Sequence, residues 1–287
     1  MAYFQPNFTN GTQNWPSYSA APYVTGFNLT VTGANTLTLS QGAARAFTKN
    51  EGIAYIAPSV IAPTVITVNT TTIGPNGCFP IAATLAAPTY DTAFGVYICG
   101  STSGLVNPGQ QELLPCAVIA TADNFLPAGY DVWRKVGTVI IEAGTSTIKP
   151  MTQSGNGNER IYLFNDAYTL VTGGAATTMT EVNLSLQTAS YGVLNPAFAE
   201  KALLSVSFTA DSVADEVILN SASTAPSTAG VVVKATAASQ SMIVPVDMPL
   251  GVDGSGNAAL WYKVSTSDDA ATILLAGFTE SLGLAAL

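Results

Sequence analysis

This chain of 287 residues contains no histidine, and carboxylates, thiols and hydroxyls make up most of its reactive side chains. That absence removes the commonest general base and the commonest metal ligand together. Ser-His-Asp and Cys-His nucleophilic arrangements are excluded, and a zinc hydrolase would have only carboxylates and thiols to work with. Glycoside hydrolysis needs two carboxylates and no histidine, which draws attention to the adjacent pairs Asp215-Glu216 and Asp268-Asp269. Neighbouring residues on a strand point to opposite faces, so neither pair makes a dyad by itself. Both lie beside Ser/Ala turns and read as solvated loop charges. Asp247, Asp253 and the run from Gly251 to Asn257 have the composition of a calcium loop but lack a bidentate Glu at the expected spacing. A Gly-Asn hairpin turn is the preferred reading there, and calcium is the first ion to test. Cys78, Cys99 and Cys116 are odd in number and widely spaced, as free buried thiols are. Gly155-Asn-Gly157 and Gly254-Ser-Gly256 read as turns, because neither leads into the helix that a phosphate cradle requires. No catalytic residue, cofactor or metal is assigned.

Composition narrows the classes further. Only 9% of residues are charged while 48% are hydrophobic, which suggests a surface that is buried against neighbours. The net charge of −9 and the single adjacent basic pair, Arg134-Lys135, argue against nucleic acid. No uninterrupted apolar run reaches the roughly 18 residues of a membrane helix. Residues 1–26 lack the basic and apolar regions of a secretory signal, so an unprocessed N-terminus and assembly in a cytoplasm are expected. Asn-x-Ser/Thr triplets at Asn7, Asn10, Asn28, Asn69 and Asn183 carry no weight in a chain this rich in Ser and Thr.

The elements that must position any site are strands. From Met1 to Ala44 there is no charge, yet Tyr3, Phe4, Phe8, Trp15, Tyr18, Tyr23 and Phe27 recur between Pro6, Pro16 and Pro22. Aromatics without charge are unlike a disordered tail and mark interface anchors. Residues 1–26 therefore read as an extended arm, with Tyr3, Phe4, Phe8, Trp15, Tyr18 and Tyr23 docking on a partner; the alternative is an arm folded over its own core. A hairpin follows about Thr32 to Asn35, then short strands at Ile53–Ile56, Val65–Val68, Phe94–Ile98, Ala117–Ala120, Thr138–Ile141 and Arg160–Phe164. Ser40 to Asn50 is the one weak helix candidate, opposed by Gly42 and Thr48. Residues 188–200 read as a linker, and strands resume at Leu203–Phe208, Glu216–Leu219, Val231–Val233, Met242–Val246, Leu260–Val264 and Ile273–Phe278. The expectation is an all-β chain: an arm at 1–26, an N-terminal β lobe at 27–187, the linker, and a C-terminal β-sandwich or jelly-roll-like lobe at 201–287. Residues 1–150 carry five basic and six acidic side chains, net −1, whereas 151–287 carry four and twelve, net −8. The near-neutral half suits docking and the acidic half suits water.

Leu126 to Gly137 concentrates Trp133, Arg134 and Lys135 in a Pro-Ala-Gly turn followed by a strand, with Arg134 expected to tie neighbouring carbonyls or carboxylates. Together with Leu37-Thr-Leu-Ser-Gln-Gly-Ala-Ala-Arg45, Val96-Tyr97-Ile98, Gln153-Ser-Gly155 and the strand Tyr162 to Phe164, the segment Pro127-Ala-Gly-Tyr-Asp-Val-Trp-Arg-Lys-Val-Gly137 resembles a family of virion structural proteins of tailed bacteriophages. Gly129, Tyr130, Arg134 and Gly137 are its structural fingerprint, and Lys135 and Val136 depart from it. The resemblance covers roughly residues 27–166 and brings no catalytic motif. It implies a non-enzymatic virion protein, a capsid decoration (cement) or head-fibre subunit, bound to the major capsid protein or other virion subunits and forming a homotrimer, with neither nucleic acid nor membrane as partner. The alternative is a receptor-binding tail fibre or spike that contacts host glycans through Trp261 and Tyr262. The competing expectation for those two rings is one in the core and one at the surface. A carbohydrate-active enzyme using carboxylates is the third reading.

Overall fold

The computed structural model describes residues 24–40, 42–48, 53–56, 64–68, 77–78, 91–100, 114–117, 132–145, 147–155, 158–184, 194, 199–223 and 230–282. The chain begins with β1 (Val24–Gly26), β2 (Leu29–Gly33), β3 (Thr36–Leu39), β4 (Gly42–Thr48), β5 (Ile53–Ile56), β6 (Thr64–Val68) and β7 (Gly77–Cys78). Then come β8 (Thr92–Gly100), β9 (Leu114–Ala117), β10 (Val132–Ile141), β11 (Met151–Ser154), β12 (Glu159–Gly174) and β13 (Thr180–Asn183). Last are β14 (Ala199–Thr209), β15 (Glu216–Asn220), β16 (Val231–Lys234), β17 (Ser241–Pro249), β18 (Gly251–Val252), β19 (Ala258–Val264) and β20 (Ala270–Ser281). The fold is all-β, and no helix occurs among the described residues.

The described strands form three sheets. One has six strands in the order β1-β4-β10-β8-β9, with β5 also on β4. The second has nine, β17-β14-β20-β12-β11-β2-β3-β6-β7, and the third has five, β13-β19-β15-β16, with β18 also on β19. In the expected hairpin, Leu29 pairs with Leu39 and Val31 with Leu37. Leu29, Leu37 and Leu39 are buried while Thr30 is exposed, so the two-residue alternation sets one face on the core.

Some elements depart from the sequence pattern. The weak helix candidate at Ser40 to Asn50 is instead strand β4, paired with β1, β5 and β10. Gly42 explains part of this, since a Cβ there would lie 2.4 Å from the Thr25 carbonyl oxygen and 2.5 Å from the Phe27 nitrogen. Only a glycine lets β1 approach so closely. Of the strand expected at Ala117–Ala120, Ala117 ends β9 (Leu114–Ala117), in register against Val96–Cys99 of β8, and residues 118–120 lie outside the described residues. The two short runs either side of Gly137 form one strand, β10, with a register shift between Lys135 and Gly137 that inserts Val136 as a bulge.

The longest elements are β12 and β20, of 16 and 12 residues. They pair from Glu159 and Ser281 at one end to Gly174 and Ala271 at the other, with three register shifts along the way. β20 lies between β12 and β14, so strands from both sides of residues 188–200 share one sheet. β13 likewise pairs with β19. The nine-stranded sheet is joined at its middle by the single β11–β2 pair Thr152 and Thr30. One contiguous apolar cluster runs through all three sheets. Its aromatic centre stacks Tyr162 on Phe278, with centroids 4.5 Å apart and planes 15° from parallel, and Phe164 packs against Phe278 and edge-on to Tyr168.

Val24–Gly26, the end of the expected arm, pairs with β4 of its own chain, and Val24 is fully buried. Tyr3, Phe4, Phe8, Trp15, Tyr18 and Tyr23 lie outside the described residues, as does most of 188–200.

Truncating a buried ring leaves a cavity as well as removing transfer energy. Phe278→Ala is therefore expected to lower stability by about 3–5 kcal/mol in denaturant melts. The exposed Val213 provides the control, since Val213→Ala should stay within about 0.5 kcal/mol of the parent. Equal effects of the two would refute the stacked-ring core.

Candidate functional site

The chemistry-bearing side chains that the fold brings together lie where the ends of β12 and β20 meet β10. The bulge at Val136 re-aims β10 so that Arg134, Lys135 and Thr138 reach the nine-stranded sheet. Gly137 makes room, because a Cβ there would lie 2.6 Å from Leu29 Cδ1 and 2.9 Å from both Gln153 Nε2 and the Tyr162 hydroxyl oxygen. Through that gap the Thr138 N–H donates to the Tyr162 oxygen at 2.9 Å, and Gln153 Nε2 donates to it at 3.3 Å. The Gln153 side-chain oxygen accepts from the Leu29 N–H, which pins β2 to the same centre.

Glu280 is the carboxylate at the heart of this cluster and is 0% exposed. Lys135 Nζ lies 2.7 Å from its Oε1, and the Thr138 hydroxyl donates to its Oε2 at 2.6 Å. Burial first, and then the negative Glu280 beside it, push the Tyr162 phenol well above its ordinary range. Burial pulls the Lys135 ammonium down, and the attraction of Glu280 opposes that pull.

Two arginines close the ends. Arg134 Nη2 donates to the Leu282 carbonyl and, at 3.4 Å, to Asn158 Oδ1. Desolvation lowers its guanidinium to about 10, so it stays charged at neutral pH. Arg160, opposite Glu280 in the β12–β20 ladder, donates to the Gly26 carbonyl at 2.6 Å, to Asn28 Oδ1 at 3.1 Å and to the Gly155 carbonyl at 3.2 Å. Asn158 Oδ1 also accepts from the Val24 N–H at 3.1 Å, so β1, β10, β12 and the residue after β20 share one knot of hydrogen bonds. The cluster contains one carboxylate, held between an ammonium and a hydroxyl. That arrangement is a crosslink between sheets and lacks the second carboxylate that glycoside hydrolysis uses.

Of the four fingerprint residues, Arg134 and Gly137 sit in this cluster, and Gly129 and Tyr130 lie outside the described residues. Glu280, Arg160 and Tyr162 were not singled out by type or spacing as one site. Their only sequence signal is a lone charge within an apolar strand, as at Glu280 after Phe278.

The remaining candidates separate. Asp269 is a correction: it is 1% exposed, not a solvated loop charge, because its carboxylate accepts the Asp211 N–H and the Thr266 N–H, each at 2.9 Å. Asp268 is exposed. Asp215 accepts the Ser212 N–H at 2.8 Å. Asp253 forms the expected turn, accepting the Ser255 and Asn257 N–H groups at 2.8 Å and the side-chain amides of Asn257 and Asn183 at 3.0 Å. These bonds, the Asn257 side chain foremost, hold its carboxyl below the usual range. No group of three or more possible metal-ligating side chains occurs among the described residues. Trp261 and Tyr262 are both buried, which corrects the expectation of one surface ring. The reason is that β19 lies inside its sheet and is covered on both faces, with Trp261 packed near Gly251. The side chains of Cys78, Cys99 and Cys116 lie outside the described set; their backbones fall in β7, β8 and β9.

No protein-family model and no curated protein matches the chain. Among solved structures, a chain from infectious bursal disease virus, Gx strain, is similar at 10% identity over 91% of this chain and 67% of that one, with a TM-score of 0.22. A Bacillus thuringiensis Cry1Da tryptic core variant is similar at 7% identity over 90% of this chain, with a TM-score of 0.20. The mosquito-larvicidal Cry4Aa toxin of Bacillus thuringiensis follows at 8% identity, 91% coverage and a TM-score of 0.17. The chain spans about half the length of the two toxin chains, 51% and 52%.

Removing one partner of a buried ion pair strands the other. Lys135→Met and Glu280→Gln are each expected to cost about 3–5 kcal/mol, and the double variant less than the sum of the two. Strictly additive losses in a double-mutant cycle would rule out the pair. A carboxyl with a lowered native pKa adds stability above its unfolded value near 4 and loses it as pH falls through the native value. Asp253→Asn should therefore flatten part of the decline in melting temperature below about pH 4, and an unchanged acid limb would contradict the turn geometry.

Proposed function

We propose that this chain is a non-enzymatic structural subunit of a tailed-bacteriophage virion, a capsid decoration (cement) or head-fibre protein that attaches to the major capsid protein or to other virion subunits. The observation that carries the reading is the use made of the fingerprint segment. Arg134, Lys135 and Gly137 hold β10 against β2, β11, β12, β20 and the residue after β20 in one locked unit, where an enzyme would present reactive groups to a substrate. Glu280, Asp269 and Asp253 accept donors from their own chain in the same way. A rigid, charge-poor β body suits a protein that works by occupying surface.

Its action is then burial. Apolar contact contributes roughly 25 cal/mol per Å² before association costs are subtracted, and repeated contacts on a particle add avidity. In this reading Tyr3, Phe4, Phe8, Trp15, Tyr18 and Tyr23 supply the anchor, since aromatics without charge are the side chains that interface centres favour. The glycan-binding alternative loses its two named rings, because Trp261 and Tyr262 are buried.

Immunogold labelling of purified virions tests the location: label over the head supports decoration, and label confined to the tail rejects it. Deleting residues 1–23, which spares β1, should leave the melting temperature within about 2 °C of the parent and abolish co-sedimentation with particles. Arg134→Ala should do the reverse, lowering stability by about 2 kcal/mol or more while the folded fraction still binds. Particle binding that survives the deletion would reject the arm as anchor.

A further inference from the structure

We propose that Lys135 and Glu280 condense after folding into an amide bond that joins β10 covalently to β20. Lys135 Nζ lies 2.7 Å from Glu280 Oε1. That contact brings the nitrogen within about 3.5 Å of the carboxyl carbon, the separation of a near-attack arrangement. Glu280 has no exposed surface, and the Lys135 side chain is only 15% exposed. Glu280 also lies two residues after Phe278, on the same face of β20, and the Phe278 ring is stacked on Tyr162. The pair is therefore enclosed in an apolar wall, and it bridges two sheets that no shared strand connects.

Three features favour condensation over a lasting ion pair. Burial penalises the charged forms and draws the Lys135 ammonium down against the pull of Glu280, so a proton passes from Nζ to the carboxylate and leaves a neutral amine beside a neutral acid. Those are the reactive forms of both groups. The second carboxyl oxygen is already held, because the Thr138 hydroxyl donates to Oε2 at 2.6 Å, where negative charge gathers as the nitrogen attacks. Arg160, opposite Glu280 in the ladder, directs its Nη groups to Gly26, Asn28 and Gly155, which leaves Lys135 as the ion-pair partner of the carboxylate. The step balances without an oxidant or a further reactant. One ammonium proton goes to Oε1, the amine lone pair forms the C–N bond at Cδ, and a second proton follows to Oε1 as its C–O bond breaks. Oε1 departs as water, Oε2 becomes the amide carbonyl oxygen, and the third proton stays on nitrogen. The product is neutral, so the site sheds the desolvation penalty of two enclosed charges, and this drives the reaction in the folded chain. The bond ties positions 135 and 280 and restricts the unfolded chain between them, as a disulfide does. This inference does not rest on the virion reading.

Intact mass spectrometry of the purified full chain tests it. The expected mass is about 18 Da below that of the sequence, the water lost in one condensation. A tryptic digest should then yield a branched peptide joining Lys135 to Glu280, with no cleavage after Lys135. Lys135→Arg, which keeps the charge, is expected to show its full sequence mass. During incubation of freshly folded protein the condensed fraction should rise at a rate independent of protein concentration, and folded Thr138→Val should react roughly tenfold more slowly or worse. A parent chain that keeps its full sequence mass after prolonged incubation in the folded state overturns the proposal. So does a loss of water that maps to any other residues, such as a dehydrated aspartate. A Thr138→Val rate equal to that of the parent overturns the part given to the hydroxyl. Virion labelling reads the proposed function whichever mass is found, so the two fail separately.

Discussion

A carboxylate with no access to water sets the terms for this structure. Glu280 sits at the end of β20, and the ion pair to Lys135 and the hydroxyl of Thr138 are what make its burial tolerable. Both partners come from β10, in another sheet, so the charge is satisfied only when the six-stranded and nine-stranded sheets are docked in one register. Buried ion pairs add little net stability over a well-packed apolar substitute, but they penalise misalignment heavily. The cluster thus acts as a register lock more than as a source of stability. Arg134 and Arg160 extend the lock to backbone carbonyls at Leu282, Gly26 and Gly155.

That lock explains the length of β12 and β20. Strands of 16 and 12 residues with several bulges are well above the usual five or six, and each does two tasks along its course. One end carries Arg160, Tyr162 and Glu280 into the polar knot. The other end, past the register shifts, lays Leu170, Ile273 and Leu275 into the apolar cluster shared with β14 and β19. The bulges change the aim of the side chains without breaking the ladder. A chain with 9% charged residues thereby concentrates several of them at one joint.

Much of the fold was legible in the residues. Alternation in Leu29 to Leu39, Leu203 to Phe208 and Ile273 to Phe278 identifies strands because one face must be apolar and the other wet. The candidate site was legible only in part. Arg134 and Gly137 stand out as a rare cation and a glycine in an apolar stretch, whereas Glu280, Arg160 and Tyr162 are single residues far apart in the chain, each unremarkable in its own strand. Asp269 misled because a carboxylate next to Ser and Asp reads as a surface turn, and only the placement of the Asp211 and Thr266 N–H groups shows that it is enclosed. Trp261 and Tyr262 misled for a related reason: alternation assumes one wet face, and β19 has none.

The sequence by itself determined the class of structure, the turns at Asn35 and Asp253, and the exclusion of histidine-dependent chemistry, because these follow from local periodicity, side-chain hydrogen bonding and composition. Tertiary structure decided which strands are neighbours. Hydrogen-bonded ladders between residues 61 to 122 positions apart leave no local trace, so the insertion of β20 between β12 and β14 cannot be read from spacing. The same long-range pairing brings the adjacent Arg134 and Lys135, the distant Arg160 and the carboxylate of Glu280 into one joint, since charge burial depends on what surrounds a residue in space and not on its neighbours in the chain.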